Sequence, residues 1–181
     1  MIGILWLAAY GSSQNSESHA GASRPLLPRN VIVPLEVVHR FFPDINHETA
    51  TGHDSTALGS PKATRTVIYA TANGSKKVTI TVDEYENRSG ASSAFREAVQ
   101  KSKAVPGFKP ASVSNVGEQA FAGTVTQGAE THVGLGAIRS DVIVGLTLAG
   151  YADTPENLSK LVSLAREEEA TARDMRAGGR R

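Results

Sequence analysis

Two imidazole–carboxylate pairs of this chain fall in one polar stretch. His47-Glu48 and His53-Asp54 share the 44–62 segment, with His39 and Asp44 just ahead of them. An imidazole beside a carboxylate can ligate zinc or another divalent ion, or can act as a base held in place by its partner. The spacing matches no standard ligand motif, and neither Ser55 nor Thr56 is singled out as a nucleophile. His47 and His53 would be the ligands of a metal, but no metal and no cofactor is assigned. His132 is the remaining histidine of chemical interest, on a strand face opposite Val133 and Leu135, with Glu130 and Arg139 close by in sequence. That face either lines a pocket or is solvated. The candidate catalytic set is therefore His47, His53, Asp54 and His132. The candidate ligand-binding set is His132, Gly134, Gly136, Tyr69 and Arg139. Asp83, Glu84 and Glu86 flank Tyr85 at a strand end, where paired carboxylates can do acid–base work or simply be hydrated. Gly134-x-Gly136 is no dinucleotide fingerprint, because no helix opens behind it. There is no phosphate loop, no Gly-x-Ser-x-Gly elbow and no basic–aromatic interleaving of the kind that reads nucleic acid.

The elements that must hold these residues are legible from the apolar pattern. Thr64 to Thr71 and Lys76 to Asp83 are β-branched runs joined through Asn73-Gly74, which predicts a hairpin with a type I′ turn. Val78, Ile80 and Val82 share one face of the second run. A helix from about Ser89 follows, with Ala91, Ala94, Phe95, Ala98 and Val99 as its apolar stripe. Three further strands are expected over roughly 118–126, 131–139 and 142–149. Gly134, Gly136 and Gly145 inside them imply something lying close over that face, a helix or a ligand. Asp153-Thr154-Pro155-Glu156 starts a last helix striped by Leu158, Leu161, Val162 and Ala165. Ahead of the hairpin, Pro34 opens a short helix over Leu35, Val38, Phe41 and Phe42 that ends before Pro43. The 44–62 segment has no period and reads as a long loop. The polar run from Glu167 reads as a fraying, solvated helix end.

Antiparallel strands joined by short turns, with helices grouped to one side, define an α+β two-layer sandwich of about five strands. The expected division is a linker-like segment over 1–28, one α+β domain over 29–175 and a disordered basic tail over 176–181. The chain has 181 residues, a formal net charge of +1 and 20% charged residues, which gives no bulk electrostatic case for nucleic acid. There is no cysteine, so disulfides and thiol chemistry are excluded. No run reaches the roughly 20 apolar residues that span a bilayer.

The N-terminal residues Leu7-Ala8-Ala9 and Gly11-Ser12, followed by a Ser- and Asn-rich stretch, resemble the end of a bacterial lipoprotein signal peptide. Tyr10 stands where that pattern has the lipid-bearing cysteine, and a phenol cannot form the thioether. The segment is expected to be an altered relic or to follow a true start upstream; the alternative is an apolar N-terminal segment packed on the domain. Pro106-Gly107-Phe108, the 116–121 run Val-Gly-Glu-Gln-Ala-Phe and the 139–144 run ending Val-Ile-Val resemble small exported actinobacterial lipoproteins. The arrangement is also similar to the extracellular sensor-type domains of some actinobacterial Ser/Thr kinases. Those usually carry disulfides, and this chain cannot. The resemblance implies export, an α+β sandwich and the binding of a ligand or partner, and it carries no catalytic residues over.

Three functions follow as expectations. One is an exported, cell-envelope-associated binding or accessory domain, using the sheet face or the gap under the 44–62 segment to hold a small apolar ligand or an envelope protein. Peripheral membrane association through the N-terminus belongs to this reading. A second is a small hydrolase or lyase, which requires His47, His53 or His132 to converge with a carboxylate in one pocket. The third is a subunit of an envelope complex, which requires a large exposed apolar patch.

Overall fold

The computed structural model describes residues 26–52 and 61–178. Seven strands form one antiparallel sheet: β1 (His47–Gly52), β2 (Ala63–Ala70), β3 (Lys77–Glu84), β4 (Lys109–Ala111), β5 (Gln119–Gln127), β6 (Glu130–Arg139) and β7 (Val142–Ala149). They lie in the order β1-β2-β3-β7-β6-β5-β4. Among the described residues three α-helices complete the fold: α1 (Leu35–Phe41), α2 (Arg88–Lys103) and α3 (Pro155–Gly178). A 3₁₀ turn at Arg29–Val31 precedes α1.

The α+β class expected from the pattern is present, but with seven strands rather than about five and with helices on both faces of the sheet rather than in two layers. The two additions are the edges. β1 comes from the stretch expected to be loop, His-Glu-Thr-Ala-Thr-Gly, which shows no apolar alternation; it lies at the sheet edge, and none of His47, Glu48 and Thr49 is buried. β4 spans three residues, too few for a period.

Cross-strand register settles the two faces. Val67, Ile80, Leu146, Leu135 and Ala122 lie in one row across the sheet, and Tyr69, Val78, Leu148 and Val133 in the next. This face carries the main core, closed by Leu161, Leu164 and Ala165 of α3 and by Val38 and Phe42 of α1 and its end. The opposite face carries Ile138, Ile143 and Phe121, against which Ala91, Ala94, Phe95 and Ala98 of α2 are packed. The helices therefore do not all share one face. Ile138 and Ile143, interleaved with core-facing Ala137 and Val144, make both sides of β6 and β7 apolar, and α2 covers the second side. Gly134, Gly136 and Gly145 are on that same side by alternation.

Three local expectations are revised. The β2–β3 connection is a hairpin, but Asn73 does not adopt positive φ; Gly74 does, at +68°. The Asn73 carboxamide instead accepts from Ser75 N and the Ser75 and Thr71 hydroxyls, stabilising a six-residue 71–76 turn closed by Thr71 N–H to the Lys76 carbonyl. Asp83 is buried rather than hydrated and accepts a 2.6 Å hydrogen bond from the Thr64 hydroxyl. Finally, α3 continues through Glu167 to Gly178. Glu168 is fully buried and accepts from Val33 N–H at 2.9 Å, and Glu169 accepts from Gly117 N–H at 2.8 Å. Two acceptors turned inward hold the helix where a solvated end was expected.

Candidate functional site

The residues selected from sequence do not assemble into one site. His132 is buried on the α2 face, with Nε2 at 3.5 Å from Glu130, and Gly134 and Gly136 share that face. Tyr69 is on the other face and fully buried; its hydroxyl donates to the Val33 carbonyl and accepts from Arg29 at 2.8 Å. Arg139 also belongs to the main-core face, at the end of β6, 3.5 Å from Glu169. Neither can reach a ligand held by His132. His47 lies in the row His47–Ala70–Lys77–Ala149–His132. Four strand spacings separate the two histidines, about 19 Å. His47 Nδ1 is instead 2.8 Å from Asn46 Oδ1, and His39 Nδ1 is 2.8 Å from the Ile45 carbonyl. His53 and Asp54 lie outside the described residues. Among the described residues no three histidines or carboxylates cluster in a way that could hold a metal.

A different place has the features of a site. An open cleft of about 580 Å³ lies where the end of α1, the β2–β3 turn and the start of α3 meet. Its walls include Phe41, Phe42, Asp44, Lys76, Tyr151 and Lys160. Each is positioned by an identifiable local cause. Pro43 stops α1 and disfavours helical backbone in the residue before it, so Phe42 leaves the helix at φ −128° and turns into the core. Asp44 follows at the cleft. Gly150 takes φ +76°, and a Cβ there would stand 2.1 Å from the Ser75 carbonyl oxygen. Only glycine lets the end of β7 press against the hairpin turn, and this delivers Tyr151 next to Lys76. Thr154 caps α3 by accepting from Asn157 N–H at 3.2 Å, fulfilling the helix start read from sequence.

The polar centre of the cleft is a three-residue set. Asp44 accepts from the Tyr151 hydroxyl at 2.8 Å and from the Lys76 ammonium at 2.7 Å, one carboxylate oxygen each. The same ammonium stands 4.9 Å from the centroid of the Tyr151 ring. Phe42 meets that ring edge-on at 5.2 Å. Partial burial pushes the Asp44 carboxyl up, but the hydrogen bonds from Lys76 and Tyr151 outweigh it and hold the group below the usual range. Burial, reinforced by Asp44, raises the Tyr151 phenol, so it stays protonated and donates. The cleft can therefore offer a fixed negative charge, an aromatic face and an apolar floor. No serine, threonine, cysteine or histidine is among its lining residues. Sequence reasoning reached Asp44 as the start of the 44–62 segment but missed Lys76 and Tyr151. Asp44 and Tyr151 are 107 residues apart, and no spacing rule links them.

A smaller groove of about 380 Å³ runs between α2 and β5, lined by Phe95, Val99, Lys103 and Phe121 among others. Phe108 stacks on Phe121 at 5.4 Å. Among the described residues the exposed large hydrophobic is Leu26.

No family model matches the chain, and no curated protein does. Among solved structures, it is similar to the crystal structure of the extracellular domain of PknH from Mycobacterium tuberculosis. The TM-score is 0.54 at 11% sequence identity, over 77% of this chain and 93% of that one. The likeness establishes a shared fold. Among the described residues no helix is long and apolar enough to cross a membrane.

Proposed function

We propose that this chain is an exported binding domain, associated with the cell envelope, that holds a small ligand in the cleft between Asp44 and Tyr151. The observation that carries the reading is the cleft itself. Its volume of about 580 Å³ lies within the range usual for small-molecule sites, and it combines an apolar floor with a few convergent polar groups. The fold shared with the extracellular domain of PknH supports a sensing or binding role outside the cell, as does the lipoprotein-like run Leu7-Ala8-Ala9. The ligand's apolar part would lie against Phe41 and the Phe42–Tyr151 pair.

The test is a ligand screen read by NMR on the isotope-labelled full chain. Binders from a library of small metabolites should shift the amides of Asp44, Lys76 and Tyr151 together and leave those of His132 and Gly134 in place. A screen in which binders shift only the α2 face would move the site there and sink this reading.

A further inference from the structure

The occupant of the cleft's polar centre is the chain's own lysine, and what surrounds it describes a ligand. The Lys76 ammonium is 2.7 Å from an Asp44 oxygen and 4.9 Å from the Tyr151 ring centroid. A carboxylate beside an aromatic face is the chemistry that recognises an organic ammonium. The two halves of this arrangement differ in how firmly they are held. Tyr151 is buried, Phe42 more deeply so, and the second Asp44 oxygen is fixed by the Tyr151 hydroxyl. Lys76 reaches in from a turn on a flexible four-carbon stem, and its side chain is 41% exposed. It can swing into solvent without moving its backbone, which is held separately by the Thr71 hydroxyl at 3.2 Å. Asp44 is about as open, its side chain 37% exposed, but its other oxygen is tied to the Tyr151 hydroxyl, so the cation is the part of the arrangement that can leave.

We propose that the Asp44–Tyr151 cage is a recognition site for the primary ammonium group of a small diffusible amine, with Lys76 as a built-in competitor that the ligand displaces. This rests on the cleft being the ligand site, and it adds the ligand's class and a gate. A primary ammonium is indicated over a quaternary one because Asp44 accepts an N–H hydrogen bond from the present occupant. A carboxylate or phosphate ligand is disfavoured. With Lys76 swung away such a ligand would face the Asp44 carboxylate, and Lys160 is 2.6 Å from Glu156. A tethered competitor acts at an effective concentration in the millimolar range or above, so its removal must tighten binding of the external amine.

The experiment compares the full-length wild type with Lys76→Ala, titrating n-butylammonium, tetramethylammonium, n-butanol and butyrate while following the Gly150 and Tyr151 amides by NMR. The proposal expects n-butylammonium to bind Lys76→Ala at least tenfold more tightly than wild type. It expects tetramethylammonium and butanol to bind more weakly, and Asp44→Asn to abolish the preference. Lys76→Gln serves as the second variant should the alanine change disturb the turn. Butanol or butyrate binding the cleft as well as the ammonium does would overturn the amine assignment and leave the binding reading standing. No binding by any of the four, in any variant, would overturn both. Tighter binding of a lysine-containing tripeptide than of the free amine would overturn the small-molecule assignment in favour of a protein side chain.

Discussion

Tyr69 shows how a residue that looks available from sequence can be fully committed elsewhere. Its ring lies in the main core, and its hydroxyl joins the Val33 carbonyl to Arg29, which in turn pairs with Glu48 at 2.6 Å. Tyr69→Phe leaves that carbonyl and one guanidinium donor without their partner. The expected cost is about 1–3 kcal/mol in urea unfolding, with ligand contacts in the cleft unchanged. Glu168 sits beside this network. Burial pushes its carboxyl up to about 8, against the opposing effects of the Val33 N–H and Arg29. One of its oxygens accepts from Val33, and the other has no hydrogen-bond partner. The native chain thus keeps a proton that the unfolded chain releases near the ordinary value of 4.5. The contribution to stability is full below that value, declines as pH rises towards about 8, and is flat beyond. In that window the slope can reach about 1.4 kcal/mol per pH unit at 25 °C. Glu168→Gln keeps an acceptor for Val33 and removes the proton, so it should flatten the dependence of unfolding free energy on pH between 5 and 8. An unchanged slope would place the titrating group elsewhere.

At the scale of elements, the cleft exists because β7 and the β2–β3 turn touch through Gly150. Gly150→Ala meets two obstacles, a positive φ and a carbonyl oxygen 2.1 Å from the new Cβ. The turn must move, and Lys76 and Tyr151 with it. The expected loss is about 1–3 kcal/mol of stability, with weakened ligand binding in the same NMR titration. Retained affinity in the variant would show that the cleft tolerates the displaced turn. Which elements were legible beforehand follows from how they bury their side chains. The hairpin, α2 and the start of α3 announce themselves because each has one apolar stripe or one cap, in the run of Val78, Ile80 and Val82, the alanines of α2, or Thr154. The placement of α2 does not, because an amphipathic helix reports that it has a buried face but not which side of a sheet it meets. Ile138 and Ile143 hold that information only once β6 and β7 are paired in register. The edge β1 was hidden for the opposite reason, its residues being polar and its partner supplying the pairing. The inward turn of Glu168 and Glu169 was invisible because a run of glutamates reads as solvated until a backbone N–H is found waiting for each.

Across the whole molecule, the least visible contribution comes from the segment leading into α1. Leu27 donates its N–H to the Thr64 carbonyl at 3.1 Å and accepts from the Arg65 guanidinium at 2.6 Å, beside the Leu26–Thr64 bridge. Val33 then ties the same segment to Glu168 and to Tyr69. The strap crosses from β2 to α3, so it closes the main-core face that α1 and α3 only partly cover. Leu27, Val31, Ile32 and Val33 are all buried in that core. Each is worth about 1.5–3 kcal/mol of burial, against a net stability of about 5–15 kcal/mol usual for a domain. A chain begun at Pro34 would lose all four, together with the hydrogen-bond partners of Tyr69 and Glu168. It should therefore fail to show a cooperative thermal transition by circular dichroism, whereas a chain begun at Leu26 keeps every one of these contacts and should melt cooperatively. A cooperative melt from the shorter chain would mean that α1 and α3 close the core unaided.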